Sequence, residues 1–456
     1  MAEPHPNSLL EIPETREQAS VPWWRGLNRM HRRVLVAALL GWTLDGFETY
    51  ALVIIIGPAL AQLLTPSQQA NTSLYAGVAI GITLLGSGIG GLIGGTIADY
   101  VGRKPTMLWS IAAYSVLTGL TAFSTSIGML IALRFLTGLA LGSEWATGAS
   151  LIQETWPERS RTKGAALVQS GFGIGSLLAA VAWLVISSFD PHAWRMMFIL
   201  GVLPALLVLY LRTRVPESER WQRAVGRSGK RPANDDANVA SNPDDHAKRK
   251  LTISQIFADR ASRKVVLLTF SLSLVTIAGW YAISSFLPRF AVVLATKDGV
   301  ANPTSWAQLA VVTYTIGSIV GYIAGAFVAD RFGRRPLILV FLIGSAVLTP
   351  ITYLWPGNVQ TFLIVAAING MFTLGGFVWM PLYLPELFGT AVRSTAMSTV
   401  FNGTRLIAWI GPILTGSLVL AFGGIAPAAI WMGSVYILGL IVVPFLTETR
   451  GKPLPD

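Results

Sequence analysis

The chain alternates long apolar blocks with short polar ones. A membrane-spanning helix needs roughly 20 predominantly apolar residues, and twelve stretches meet that standard. They lie at 34–63, 75–98, 106–125, 129–153, 163–187, 195–213, 264–288, 306–329, 337–354, 360–384, 394–420 and 427–447. The pattern predicts an all-α integral membrane protein with twelve transmembrane helices. Residues 1–33 are polar and read as a cytoplasmic tail rather than a cleaved signal.

Lysine and arginine concentrate in loops on the cytoplasmic side of a membrane. Of the 34 basic residues, 29 fall in the two tails and in the loops after even-numbered helices. The opposite loops hold only Arg195, Arg289 and Lys297. An even number of spans with both termini cytoplasmic follows, in a multi-pass protein of the cytoplasmic (inner or plasma) membrane.

The chain also repeats itself. D-Y-V-G-R-K from Asp99 returns as D-R-F-G-R-R from Asp330; Glu154 and Arg161 return as Glu386 and Arg393; Glu217 returns as Glu448. The offsets are 231, 232 and 231 residues. Parallel repeats about an axis along the membrane normal are how two-halved transporters are built. The expected organisation is a tail (1–33), an N-terminal six-helix bundle (34–213), a flexible cytoplasmic linker (214–263), a C-terminal six-helix bundle (264–447) and a tail (448–456).

Composition narrows the chemistry. Apolar residues make up 52% of the chain and charged residues 12%, half the share of a soluble domain. Cysteine is absent, and none of the four histidines falls inside an apolar run. No disulfide framework, thiolate metal site or cysteine nucleophile is expected, and no metal or cofactor. The net charge of +11 is accounted for by topology, so no nucleic-acid partner is expected. Gly86, Gly88 and Gly91 have dinucleotide-loop spacing, but they sit in an apolar run, where close glycines serve helix packing.

Charges inside the spans cost about 2.5–3.5 kcal/mol each at the helix centre. Away from helix ends the acids are Asp45, Glu48 and Glu144, and the bases are Arg134 and Arg405. At ~1.5 Å of rise per residue, Asp45, Glu48, Glu144 and Arg405 lie about 15–22 Å inward, close to the midplane, with Arg134 nearer the outer side. Asp45 and Glu48 are three apart and share one helix face. They are expected to bind a coupling proton, with Arg134 as their switchable partner; a permanent structural ion pair is the alternative. Glu144 joins this set as a proton-linked or structural group. Arg405 offers a planar fork matched to a carboxylate, with Asn402 one turn away; its alternative is an ion pair with Glu144.

Asp99, Gly102, Arg103 and Lys104, with Asp330, Gly333, Arg334 and Arg335, are placed at the cytoplasmic edge. An aspartate there can accept bonds from arginine and from the free amides of a helix start. With Glu154, Arg161, Glu386 and Arg393 they form an expected clasp between the halves, one that breaks on rocking.

These motifs, with R-F-L-T-G-L-A-L-G-S-E-W, P-E-S-E-R-W and P-E-L-F-G-T-A-V-R-S, resemble the major facilitator superfamily, in its sugar-porter and metabolite:proton symporter branches. D-G-F-E on helix 1 is similar to the aromatic-acid and sialate:proton symporters. The resemblance implies two pseudo-symmetric six-helix bundles around a central cavity. It also implies a proton-coupling pair at Glu48 and Arg134, and a carboxylate-binding role for Arg405. Trp280, Tyr281, Trp379 and Tyr383 become substrate candidates because helices 7 and 10 line the cavity in that family. Gln169 stands where sugar porters keep a sugar-contacting glutamine. The implied activity is proton-coupled symport of a small organic acid anion (monocarboxylate, aromatic acid or sialate) by a monomer, with a sugar or polyol carrier as the alternative. No enzymatic activity is expected.

Overall fold

The computed structural model describes residues 22–190, 192–225 and 252–455. Among them helices are the regular structure, without a strand. In chain order these are α1 (Arg29–Leu63), α2 (Thr72–Val101), α3 (Arg103–Thr121), α4 (Ile127–Thr155, with a turn at Gly142–Ser143) and α5 (Glu158–Ile186). α6 runs in two pieces, Ala193–Leu200 and Pro204–Arg214. The second set is α7 (Arg260–Ser284, continued by Leu287–Lys297), α8 (Ser305–Phe332), α9 (Arg334–Leu354) and α10 (Val359–Glu386). α11 is built from Arg393–Phe401, Arg405–Ala408 and Ile410–Ala421, and α12 from Ile425–Gly433 and Val435–Val442.

Local chemistry starts several of these helices. Asn28 and His31 form a reciprocal capping box at α1. Ser126, Asp259 and Asn358 accept first-turn amides at α4, α7 and α10. By length and composition nine described helices can cross a membrane. The other three, α3, α6 and α11, depart for physical reasons: α6 and α11 are interrupted, and α3 turns Thr106, Ser110, Ser115 and Thr118 inward.

Several boundaries differ from the sequence expectation. α1 begins at Arg29, inside the predicted tail, because the Asn28 cap starts it earlier than hydropathy does. α7 breaks at Ser285–Phe286 and continues to Lys297, beyond the apolar run, with Pro288 in the first turn of the second piece. The predicted linker is ordered at both described ends. Glu219–Ala224 and Thr252–Ala258 are helical, Trp221 donates to the Asp99 carbonyl at 3.0 Å, and Thr252 bonds Thr395 at 2.7 Å. The middle of that linker (226–251) and most of the N-terminal tail (1–21) lie outside the described residues.

The helices form two six-helix bundles, joined mainly by α2 against α11 and α5 against α8. The glycine run on α2 serves two neighbours at once. Added Cβ atoms at Gly86 and Gly90 would lie 2.4 and 1.9 Å from α4 carbonyl oxygens, while one at Gly91 would lie 2.2 Å from Asn402 on α11. Only glycine permits both approaches.

Candidate functional site

A cavity of about 330 Å³ lies between the bundles. Its deep end holds Asp45, Glu48, Arg134, Gln169 and Arg405; its mouth is formed by Ser73, Arg289 and Pro412. Asp45 and Glu48 both face it, as their spacing requires. Arg134 reaches Glu48 in a closed ion pair, donates to Thr121 at 2.6 Å and to Thr137 at 3.1 Å, and lies 4.7 Å from the Phe198 ring centre. A buried pair needs such supporting bonds to offset its desolvation.

Arg405 is different. Its guanidinium stacks on Phe401 at 4.4 Å and faces Asp45 electrostatically. Among the described residues it closes no ion pair, with Glu144 or otherwise. Glu144 does not line the cavity. It sits behind α1, where an added Cβ at Gly41 would lie 2.2 Å from its carboxylate oxygen. It faces Asp45 electrostatically and the Tyr114 hydroxyl by a side-chain hydrogen bond.

Gln169, Trp280 and Tyr281 line the cavity. Gln169 accepts from Trp145 Nε1 at 3.1 Å, and the Trp280 and Tyr281 rings are 4.6 Å apart. Three other expected substrate residues are placed elsewhere. Asn402 donates to the Gly142 carbonyl and to Ser398, both at 2.9 Å, so it ties α11 to α4. Trp379 donates to Thr276 at 3.3 Å beside a separate small void, because its face of α10 turns into the C-terminal bundle. Tyr383 donates to the Thr447 carbonyl at 2.6 Å, near the chain's C-terminal end. None of the three lines the central cavity.

Sequence reasoning missed Tyr50, Phe172, Phe377 and Phe401, which complete the aromatic wall. Two were within reach. Phe172 is three residues after Gln169 and Phe401 four before Arg405, so each shares its neighbour's helix face. Tyr50 and Trp280 face each other on this wall, and Trp42 Nε1 has no hydrogen-bond partner among the described residues, leaving a donor for a guest.

The opposite end of the bundle is closed. Asp99 accepts from the Ser394 and Thr395 amides at 3.3 and 2.8 Å and from the Thr395 hydroxyl at 2.6 Å, at the first turn of α11. Arg103 holds Asp99 at 2.9 Å and Glu154 at 3.1 Å, and donates across the halves to the Thr390 carbonyl at 2.8 Å. Arg393 crosses back to Glu154 at 2.9 Å. In the second copy Arg334 grips Glu386 through two bonds, Lys163 pairs with Asp330 across the halves, and Arg161 lies 3.8 Å from Glu386. Glu217 accepts from the Arg103 and Lys104 amides, as Glu448 does from those of Arg334 and Arg335. Burial pushes the Glu217 carboxyl above the ordinary glutamate range, whereas four backbone amides hold Glu448 below it.

Twelve helices in two like halves, with a charged cavity between them and one end sealed by matched ion networks, define a membrane transporter of the major facilitator type, not an enzyme. The chain belongs to the "Sugar (and other) transporter" family, whose model matches residues 33–456. It is 29% identical to the sialic acid transporter NanX of Escherichia coli K12, over 86% of this chain and 88% of the relative. It is 28% identical to a cis,cis-muconate transport protein of Acinetobacter baylyi, over 84% and 87%. The fold matches a solved structure described as the proton:xylose symporter XylE, with a TM-score of 0.73 at 20% identity, covering 93% of this chain and 98% of that one.

Proposed function

We propose that the protein imports a small organic acid anion together with protons across the cytoplasmic membrane, by alternating access. The observation that carries this reading is Arg405, a cavity cation without an ion pair among the described residues, while Arg134 in the same cavity is neutralised by Glu48. An unpaired guanidinium in a mostly apolar, aromatic-walled cavity suits a carboxylate. Relatives described as carriers of sialic acid, cis,cis-muconate and gentisate support the substrate class.

In this account Glu48 takes up the coupling proton and releases Arg134, with Asp45 poised against Arg405 and Glu144 behind it. The basic residues at the sealed end make that end cytoplasmic, with both termini there, so the cavity opens outward. Rocking breaks the Asp99, Glu154 and Asp330 contacts and opens the other side. The functional unit is a monomer. A sugar or polyol carrier is the second reading, favoured by Gln169 at the cavity wall.

Counterflow in proteoliposomes with labelled benzoate, cis,cis-muconate, sialate and xylose tests the substrate class. Exchange of a carboxylate, lost in Arg405→Ala, is the expected result. Exchange of xylose alone, with Arg405→Ala unaffected, would leave the sugar reading standing.

A further inference from the structure

The cavity extends well past the residues assigned so far. Its α7 wall follows one helix face, through Trp280, Tyr281, Ser284, Ser285, Pro288 and Arg289, at the spacing of three and four that one side of a helix requires. That face runs on across the break into the second piece of α7. Tyr281 lies within electrostatic reach of Arg405, and Arg289 follows eight residues later, about 12 Å nearer the mouth.

Charge along this wall does not balance. The charged residues lining the cavity are Asp45, Glu48, Arg134, Arg289 and Arg405. Glu48 and Arg134 cancel as an ion pair. Asp45 faces Arg405, which leaves Arg289, exposed at the mouth, with no acid on its stretch of wall. Arg405 closes no ion pair among the described residues and Arg289 has no acid near it, so two cations without an ion pair stand at opposite ends of an apolar, aromatic passage. The other arginine of this end, Arg195, is already engaged with the carbonyls of Ala122 and Ser124.

We infer that Arg289 is a second anion subsite, and that the cavity takes a dicarboxylate with one carboxylate on Arg405 and the other on Arg289. The carbon skeleton between them, a short chain or a single ring, lies along the Trp280 and Tyr281 side. The inference rests on the reading of Arg405 given above and adds the size and charge of the cargo. The charged side chains lining the cavity sum to one positive charge, and to two once the coupling proton is bound; a dianion then brings the loaded site to neutral, whereas a monoanion carried with that proton leaves it positive.

The test compares acids that differ only in the second carboxylate: adipate against hexanoate, and terephthalate against benzoate. Binding to the purified full chain is read from tryptophan fluorescence, since Trp42 and Trp280 line the cavity. Each diacid is expected to bind about tenfold or more tightly than its monoacid, as a charge-assisted contact predicts. R289A is expected to erase that ratio and R289K to restore part of it. Equal affinity of diacid and monoacid in the wild type would overturn the inference. So would R289A weakening both acids alike, the signature of a charge that only steers anions inward. Monoacid binding that depends on Arg405 but gains nothing from a second carboxylate would defeat this inference alone. Failure of every acid to bind would defeat the reading of Arg405 as well.

Discussion

Arg393 lies 2.9 Å from Glu154 across the boundary between the halves, whereas their counterparts in the repeat, Arg161 and Glu386, stand 3.8 Å apart. The seal is therefore asymmetric, and its tighter contact is made by the arginine of the C-terminal half. Removing one partner of a close buried pair costs about 3–5 kcal/mol, while the Arg161–Glu386 pair, also buried but longer, is held by a weaker attraction. Arg393→Gln should open the sealed end more than Arg161→Gln does. The chain contains no cysteine, so Ile277→Cys on the cavity wall gives a unique label. Its labelling rate in inside-out vesicles should rise several-fold with Arg393→Gln and only slightly with Arg161→Gln.

Gly102 and Gly333 begin α3 and α9 at φ of +125° and +107°. An added Cβ would lie 2.3 Å from Glu217 at the first and 2.7 Å from Glu448 at the second. Glycine-only backbone geometry costs about 1–3 kcal/mol when another residue is forced into it. Each glycine-to-alanine variant should lower the melting temperature in detergent. The double variant should show nearly the sum, since the two sites lie in different halves.

Glu217 and Glu448 hold equivalent positions but should respond to pH in opposite ways. Glu448 has its folded-state pKa depressed by backbone amides. Its contribution is present above the ordinary glutamate range and is lost as pH falls through the folded value. Glu217 is raised by burial, so it binds its proton more tightly when folded. The stability it brings is present at low pH and declines as pH rises through and past the ordinary range. Glu448→Gln should therefore cost more stability at pH 7 than at pH 4, and Glu217→Gln less at pH 7 than at pH 4. Thermal melts of both variants at the two pH values check the signs.

The number of spans, the two-fold repeat and the membrane-buried charges were all legible in the sequence, because each follows from one-dimensional pattern: run length, offset and cost in lipid. Partner choice was not. Asn402 lies one turn from Arg405, which suggested a shared ligand, yet Gly91 opposite it admits α11 so closely that the amide is spent on Gly142. Trp379 and Tyr383 lay on a helix of the right number but on its wrong faces, which the apolar run of α10, hydrophobic all round, could not reveal. Helix breaks at Ser285–Phe286 and within α11 were equally silent, since hydropathy does not register a local change of helix path.

Asn402 accordingly gives a prediction opposite to the one its sequence position suggests. Asn402→Ala should leave substrate affinity within about twofold while slowing exchange, because it loosens α11 from α4 and leaves the Gly142 carbonyl without its donor. Gly91→Ala, which crowds the same amide, should slow exchange too. Binding titrations paired with counterflow rates separate the two effects.

The cavity pair of Glu48 and Arg134 is expected to move a proton with each anion. The direct measurement is internal pH in dye-loaded proteoliposomes when a transported carboxylate is added outside, with protein-free liposomes correcting for passive entry. Wild type should acidify the lumen in step with uptake. Glu48→Gln should still exchange labelled carboxylate while losing both the acidification and accumulation driven by a pH gradient. Carboxylate uptake with no acidification in the wild type, or a Glu48→Gln protein that still accumulates cargo against a gradient, would contradict that role.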